Sequence, residues 1–405
     1  MTKASSCGRI SRRVTPHCIF HLDINSFTAS AQYNSQPQFS ISQLFGLIYT
    51  NSHWICITST TMSENKIPST MRAWQYSSAA GGIEKHLRMN PLASLPTLKP
   101  DENLIRVIAM ALNPVDYKPV EVPFIGRFTH SKNAIPGLDV VGQVVKPAAG
   151  SSFKVGQVVF GVAGSSLFAG GAMADYATIN VKTAVPVPEG VDLVQAGTVG
   201  IAGVTAYQSI VPFVKPASRV FINGGSGGTG TYGIQIAKAV GCHITTTCST
   251  PNVELCKSLG ADEVIDYKKG PVLEQLKKQK PFDLIVDNVG ADYSLFFKAH
   301  EYSNPSAKYA FVGVTPSLGF FGFMIKASVL PGFLGGAKRK MQLIFAEPKS
   351  EDLSVIGHWM AEGKVRGVID QRFTFEQGID AIKRQKTGRA RGKMVIDVAP
   401  ELAKS

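Results

Sequence analysis

Acidic residues are scarce in this chain: 29 Asp and Glu stand against 42 Lys and Arg, a formal charge of +13 over 405 residues. The shortage is sharpest at the front, where residues 1–61 hold Asp23 as their one carboxylate beside Lys3, Arg9, Arg12 and Arg13. Cysteine is sparse too. Six cysteines at irregular spacing make no disulfide framework, which excludes a small stapled secreted fold and fits a reducing compartment. Cys7, His17, Cys18 and His21 match no zinc spacing. No apolar run reaches the roughly 18 residues of a spanning helix. The 39 glycines and 23 prolines lie along the whole chain, which excludes a collagen or low-complexity tract and calls for many turns. The basic excess favours an anionic partner, whether a phosphorylated cofactor, nucleic acid or a membrane surface, and does not choose among them.

The front is rich in Ser and Thr as well as poor in acid, the composition of an organelle transit peptide. The favoured reading is an upstream extension, with translation starting at Met62 or Met71. Its apolar patch, 44–57, is broken by Thr50, Asn51, Ser52 and His53 and is too polar to cross a bilayer. Order begins at Met71. Short β patterns at 71–76, 103–109, 139–145 and 157–161, punctuated by Gly and Pro, predict a small barrel or sandwich. Past about residue 196 strand-like runs (219–223, 242–248, 263–266, 283–288, 308–314 and 342–346) alternate with helical ones, which predicts a doubly wound parallel sheet. A helix over 350–362 and short β material ending at 393–398 complete the chain.

The most informative stretch is Val220-Phe-Ile-Asn-Gly-Gly-Ser-Gly-Gly-Thr-Gly230. An apolar strand leads into Gly225-x-Gly227-x-x-Gly230, and a helical pattern follows over 232–240. Glycines let the backbone turn sharply and approach a pyrophosphate, and the helix start offers free N–H groups to that anion. With strand before and helix after, the motif predicts a dinucleotide site. The next strand ends Thr245-Thr-Thr-Cys-Ser249, without the carboxylate that NAD sites usually place against the ribose 2′-hydroxyl. The first acid is Glu254, already in the next helix. Ser249 can donate to a 2′-phosphate, and Tyr267 and Lys268 could face the same group. NADPH is the expected cofactor.

Several further motifs stand in order: Leu112-Asn-Pro-Val-Asp-Tyr-Lys118, Pro136-Gly-Leu-Asp139, Ala202-Gly-Val-Thr-Ala-Tyr207, Ser258-Leu-Gly-Ala-Asp-Glu-Val-Ile-Asp-Tyr267, Phe282-Asp-Leu-Ile-Val-Asp-Asn-Val-Gly290 and Gly388-Arg-Ala-Arg-Gly-Lys393. Together with the glycine loop they make residues 71–405 resemble the zinc-free, quinone-oxidoreductase group of the medium-chain dehydrogenases/reductases. Within it the chain looks most like the chloroplast-envelope quinone oxidoreductase homologues and the mitochondrial reticulon-interacting oxidoreductases. The resemblance implies an α/β fold. A GroES-like β-barrel catalytic domain (71–198 and 348–405) is interrupted by a Rossmann NADP-binding domain (199–347), after an N-terminal extension over 1–70. It also implies roles. Gly225, Ser226, Gly227, Gly228, Thr229 and Gly230 would hold the pyrophosphate, and Ser249 and Tyr267 the 2′-phosphate. Asn288 would lie along the cofactor, Gly313 near the nicotinamide, and Arg389, Ala390 and Arg391 would close over the site. One departure stands out: many relatives place a lysine just after the Ser249 position, where this chain has Pro251-Asn252. Zinc relatives carry a Cys and a Gly-His-Glu. Here Asn113-Pro-Val-Asp116 stands for the first and Gly137-Leu138-Asp139 for the second, while Cys242, Cys248 and Cys256 lie in the nucleotide-binding half without ligand spacing. No metal is expected, and without a Lewis acid alcohol dehydrogenation is not expected either.

The activity implied is metal-free hydride transfer from NADPH to a quinone or to the C=C bond of an α,β-unsaturated carbonyl. Asn113, Tyr117 and Lys118 are the candidates for stabilising the developing oxygen charge, with Tyr117 or water as proton source. A trans-acting enoyl reductase of a lipid or polyketide pathway would use the same chemistry on a carrier-bound substrate. A cofactor-binding scaffold or RNA binder is the reading from another class. The basic residues are scattered and no RNA-binding aromatic motif is present, so no nucleic acid partner is expected. Residues 320–334 (FFGFMIKASVLPGFL) read as packed helix and loop, as a lid or as a dimer contact. Beside the Lys338-Arg-Lys340 cluster they also leave a peripheral membrane contact and a homodimer open. The expected compartment is the cytoplasm, or the mitochondrion if the front is a transit segment.

Overall fold

The structure is a computed structural model that describes residues 46–50, 53–57, 67–122, 132–164, 171–313, 318–331 and 334–404. The chain divides into two units, Met1–Ile67 and Pro68–Ser405. In the first, β1 (Gly46–Thr50) pairs antiparallel with β2 (His53–Ile57). Most of the predicted N-terminal extension lies outside the described residues.

In the second unit β3 (Thr70–Gln75) and β4 (Arg88–Ser94) form a hairpin beside a closed sheet. That sheet contains β5 (Glu102–Leu112), β6 (Asp139–Lys146), β7 (Val158–Ala163) and β8 (Tyr176–Pro186). Each pairs with the next, and β8 returns to β5, so the ring closes. β5 is buried along nearly its whole length because it has partners on every side: β6, β8 and, at its far end, β16 (Lys393–Asp397). β15 (Ile369–Thr374) pairs parallel with β16. Ile105, Val107, Val140, Val144, Ile179 and Met394 fill the barrel.

The other sheet is parallel throughout. It contains β9 (Arg219–Asn223), β10 (His243–Cys248), β11 (Glu263–Asp266), β12 (Phe282–Asp287), β13 (Ser303–Val312) and β14 (Lys340–Ile344), in the order β11-β10-β9-β12-β13-β14. The chain reverses direction across the sheet between β9 and β12, which opens a crevice at the carboxyl ends of those strands. The second unit thus joins a closed β-barrel to a doubly wound parallel sheet, the arrangement that the resemblance implies. The helix Gly200–Ile210, the helix Ser350–Ala361 and the inner side of helix Gly228–Ala239 share one apolar cluster with the barrel, including Val204, Ile356, Tyr232 and Phe160.

β4 and β8 were not read from the sequence, and two further elements depart from its expectation. The segment after residue 362, read as short β material, contains the helix Gly378–Lys386. Gly378, Ala381 and Ile382 are buried at i, i+3, i+4 spacing, the helical stripe that charged neighbours had masked. The helix Leu318–Val329 is only half packed: Phe323 is buried while Phe321, Ile325 and Val329 are exposed.

Candidate active site

β9 ends at Asn223 and the chain turns at once, with Gly224 at φ +83°. The motif glycines serve different ends. A Cβ on Gly225 would come within 2.1 Å of Thr246 Oγ1, and one on Gly230 within 2.1 Å of Gly224 O. Both positions need glycine for the fold itself, one for the turn and one for close packing of helix Gly228–Ala239. Gly227 differs. Its φ of −79° suits any residue, and a Cβ there would meet only Gly224 O, at 3.8 Å. No protein atom demands its smallness, so the demand fits a ligand that the backbone must approach. Asn288, just past β12, gives a second sign: both polar atoms of its side chain are buried without a partner. Such atoms cost about 1–3 kcal/mol each unless something satisfies them. The two observations fit a dinucleotide laid over the crevice.

The floor of the crevice is a hydrogen-bonded row across the strand ends. Thr247 Oγ1 donates to Asn223 Oδ1 at 2.6 Å, Asn223 Nδ2 donates to Asp287 Oδ1 at 2.9 Å, and the Tyr309 hydroxyl donates to Asp287 Oδ2 at 2.9 Å. Asp287 Oδ1 also accepts from Val289 N and Gly290 N, and Thr247 Oγ1 from Gly224 N. The row ties β10, β9, β12 and β13 together beneath the loops that carry Gly224 and Asn288. Burial raises Tyr309 well above the ordinary phenol range, so it remains a donor.

At the nucleotide edge, Asn252 stands in the turn where a lysine was expected. Its Nδ2 lies 3.2 Å from both Ser249 Oγ and Ser226 Oγ, so it joins the 2′-phosphate candidate to the glycine loop. Cys248 pairs with Asp266 across β10 and β11, which places a carboxylate near Ser249 that the sequence reading did not count. Asp266 Oδ1 accepts from Lys268 N at 2.9 Å. Tyr267 is exposed, with the Lys268 ammonium 5.5 Å from its ring centre. Gly313 follows β13 at φ +63°, with open space where a Cβ would project.

The barrel meets the glycine loop through segment 388–393. Gly392 bridges Gly227, and its N–H donates to Ser226 O at 3.0 Å. This brings exposed Arg389 and Arg391 to the loop, while Ala390 packs on the barrel core. The next residue, Lys393, is 2% exposed. Its ammonium donates to Asp139 Oδ2 at 2.9 Å and to Asn113 Oδ1 at 2.5 Å. Asp139 Oδ1 accepts from Ile201 N at 2.6 Å. Asn113 N donates to Asp116 Oδ2 at 2.7 Å, while Asp116 Oδ1 is buried without a partner. Burial pushes the Asp116 carboxyl up to about 7, against the pull of the Asn113 N–H and with the help of nearby Asp139. Tyr117 is buried in the barrel core with the Lys386 ammonium 5.6 Å from its ring centre. Burial, then Glu121, pushes its phenol up to about 12. Lys118 is exposed at the head of the one-turn helix Lys118–Glu121 and stands outside the buried group. Among the described residues no three His, Cys, Asp or Glu side chains gather as a metal site would need.

Residues 99–189 match the model of the alcohol dehydrogenase GroES-like domain, and residues 259–396 that of a zinc-binding dehydrogenase. The trans-enoyl reductase pgmF of Aspergillus terreus is 46% identical over 350 residues, covering 82% of this chain and 97% of that protein. The chloroplast envelope quinone oxidoreductase homolog of Arabidopsis thaliana is 32% identical over 345 residues, covering 81% of this chain and 98% of that one. The solved quinone oxidoreductase of Coxiella burnetii superimposes with a TM-score of 0.70 at 26% identity, covering 81% of this chain and 99% of that one. The chain belongs to the medium-chain dehydrogenase/reductase family, in its quinone-oxidoreductase-like group.

As a member of that family the protein is an oxidoreductase that works with a nicotinamide cofactor. The structure brings the predicted loop residues, Asn252 and segment 389–391 into one region, with Asn113 and the missed Lys393 against it. Lys393 lay inside a quoted motif, but it read as the start of an apolar strand. Its signal was a lone charge opening the run Lys393-Met-Val-Ile. The Asp287 network gave no sequence signal beyond polar residues at the ends of apolar strands.

Proposed function

We propose that this enzyme uses NADPH to reduce the C=C bond of an α,β-unsaturated carbonyl. The observation that supports it best is the docking of Gly392 on Gly227, which sets Asn113 and Lys393 against the dinucleotide loop. Ser226 to Gly230 and Asn288 would hold the dinucleotide, and Ser249, Tyr267 and Lys268 its 2′-phosphate. Gly313 would lie by the nicotinamide, and segment 389–391 would close over it. Bound NADPH supplies the hydride. With hydride added to the β-carbon, the C=C pair would shift between the α-carbon and the carbonyl carbon and the C=O pair onto the oxygen, and the α-carbon would then take a proton as the C=O re-forms. Asn113 offers the neutral donor for that oxygen. Water is the proton source that suits a Tyr117 phenol raised by burial.

Similarity to a protein named a trans-enoyl reductase favours an acyl chain presented by a carrier. A quinone acceptor is the second reading, favoured by the quinone oxidoreductase relatives. The same reading takes 71–198 with 348–405 as the catalytic domain and 199–347 as the nucleotide-binding one. It adds a peripheral contact with anionic membrane through Phe321, Ile325 and Val329. Lys326 and Lys338 stand by the nearby 297–300 turn, and Lys340 is exposed. Flotation with anionic liposomes tests this; equal binding of a Lys326, Lys338 and Lys340 triple Ala variant removes it. A homodimer and a cytoplasmic or mitochondrial location stay with the proposal, to be read by sedimentation and fractionation.

The deciding assay is NADPH against NADH oxidation by the full chain over short and long enones, enoyl thioesters and quinones. NADPH-dependent enone turnover supports the reading; turnover of quinones alone replaces it with the second.

A further inference from the structure

The register of three strands converges on one buried cation. β16 runs antiparallel to β5 with Met394 opposite Leu112, so Lys393 comes level with Asn113. β6 sets Asp139 opposite Ala111 on the other side of β5. Asn113 and Asp139 belong to the two segments that stand where zinc relatives carry their Cys and Gly-His-Glu, and the Lys393 ammonium binds both side chains. The group is closed: Asn113, Asp139 and Lys393 are 3%, 0% and 2% exposed. Asp139 is itself held by Ile201 N at the start of helix Gly200–Ile210.

The chemistry of the contact orients the amide. An ammonium only donates, so the Asn113 atom that meets it is the oxygen, and the NH2 end is turned the other way. One of its two protons has a long contact to Ala111 O, at 3.4 Å, and the other has no protein partner among the described residues. A cation on the amide oxygen also draws electron density from the nitrogen and strengthens its N–H as a donor. The Lys393 stem lies against the glycine loop: a Cβ on Gly228 would come 3.2 Å from its Cδ.

We propose that Lys393 is the positioning residue of this enzyme, holding and polarising the Asn113 amide so that it donates to the substrate oxygen on which charge develops. The inference rests on the enone reading and deepens it. Lys393 acts through Asn113 and touches neither substrate nor the reacting carbons. A quinone oxygen, whose charge spreads over an aromatic ring, gains less from such a donor than an enolate does.

The test compares the full chain with Lys393→Arg, Lys393→Met and the double variant Lys393→Met/Asp139→Asn, which leaves no unpaired buried carboxylate if Lys393→Met alone fails to fold. The first readout needs no turnover. The chromophoric enal 4-dimethylaminocinnamaldehyde, bound with NADP+, should absorb to the red in wild type and lose that shift in the double variant. NADPH affinity should stay within about threefold. Enone kcat should fall about 30-fold, short of the roughly 100- to 1000-fold cost of losing a direct donor, with KM little changed and quinone turnover much less affected. Lys393→Arg, which keeps the charge, should recover part of the shift. A red shift retained in the double variant overturns the proposal. So does an absent shift in wild type, or an equal fall of enone and quinone turnover, which would mean a structural role only. If wild type reduces no enone, the functional reading fails, while the absorbance shift still decides the role of Lys393.

Discussion

Replacing two glycines of the same loop should separate folding from cofactor binding. In Gly227→Ala the added methyl meets only Gly224 O, at 3.8 Å, and the φ of −79° is comfortable for alanine. The fold should therefore hold, and loss of backbone freedom in the unfolded chain should stabilise it by about 0.4–1 kcal/mol. The same methyl occupies the face where a pyrophosphate must approach, so NADPH should bind at least about tenfold more weakly, about 1.4 kcal/mol. Gly230→Ala behaves differently. Its methyl would fall 2.1 Å from Gly224 O and 2.7 Å from Gly225 Cα, both backbone atoms that cannot swing aside. The helix must back away, at a cost of about 1–3 kcal/mol before any ligand is added. Thermal unfolding without cofactor, followed by fluorescence titration with NADPH, reads both terms. Cofactor at 100 times its Kd stabilises by about 2.7 kcal/mol, and a tenfold loss of affinity lowers this to about 1.4 kcal/mol, so melting alone shows the difference. A Gly227→Ala protein that melts and binds NADPH like wild type would refute the assignment of this loop to the pyrophosphate.

Asn288→Ala removes two buried polar atoms that have no partner, so it should leave the cofactor-free protein as stable as before or more so. It should weaken NADPH by about 1 kcal/mol or more, read in the same titration. Tyr117→Phe should fall far short of the roughly hundredfold loss expected for a general acid, because a phenol pushed up to about 12 yields its proton poorly; a hundredfold drop in kcat would restore it as the donor. Asp116 makes stability depend on pH. Burial raises it from 3.8 unfolded to about 7 folded. Its contribution is therefore complete below pH 4 and lost as pH rises towards 7, by up to about 1.4 kcal/mol per pH unit. Asp116→Asn should flatten that slope in urea unfolding at pH 5 and 7, and an unchanged slope would assign it to other groups.

Runs of one character were legible in the sequence. The 219–223 and 263–266 strands fall where read, because each carries adjacent strand-forming apolar residues, Val220-Phe-Ile222 and Val264-Ile265, near a glycine turn at Gly224 or Gly260. Others were missed where the local signal was mixed. In β8, Tyr-Ala-Thr-Ile-Asn-Val-Lys-Thr-Ala-Val-Pro from Tyr176 to Pro186, the polar Asn180, Lys182 and Thr183 interrupt the apolar pattern where the strand passes from pairing with β5 to pairing with β7. Helix Gly378–Lys386 hid its buried stripe among four charges. Asn252 was visible only as the lack of a lysine, and its hydrogen bonds to Ser226 and Ser249 appear once the loop from Gly225 and the turn after β10 lie side by side.

By itself the sequence determined where the glycine loop lies and what flanks it. The strand, the glycine loop and the following helix are contiguous, and their chemistry is that of backbone N–H groups, which local geometry sets. It also determined the family, through motifs in order. In the barrel half a motif offered Asn113 as a candidate, but its partners were decided by tertiary structure. Lys393 reaches Asn113 across 280 positions and Asp139 across 254, and only the register of β16 and β6 on β5 makes the three meet. A buried lysine beside a carboxylate depends on strand alignment to within one residue, since a slip of one would turn each side chain to the opposite face of the barrel. No local pattern carries that information.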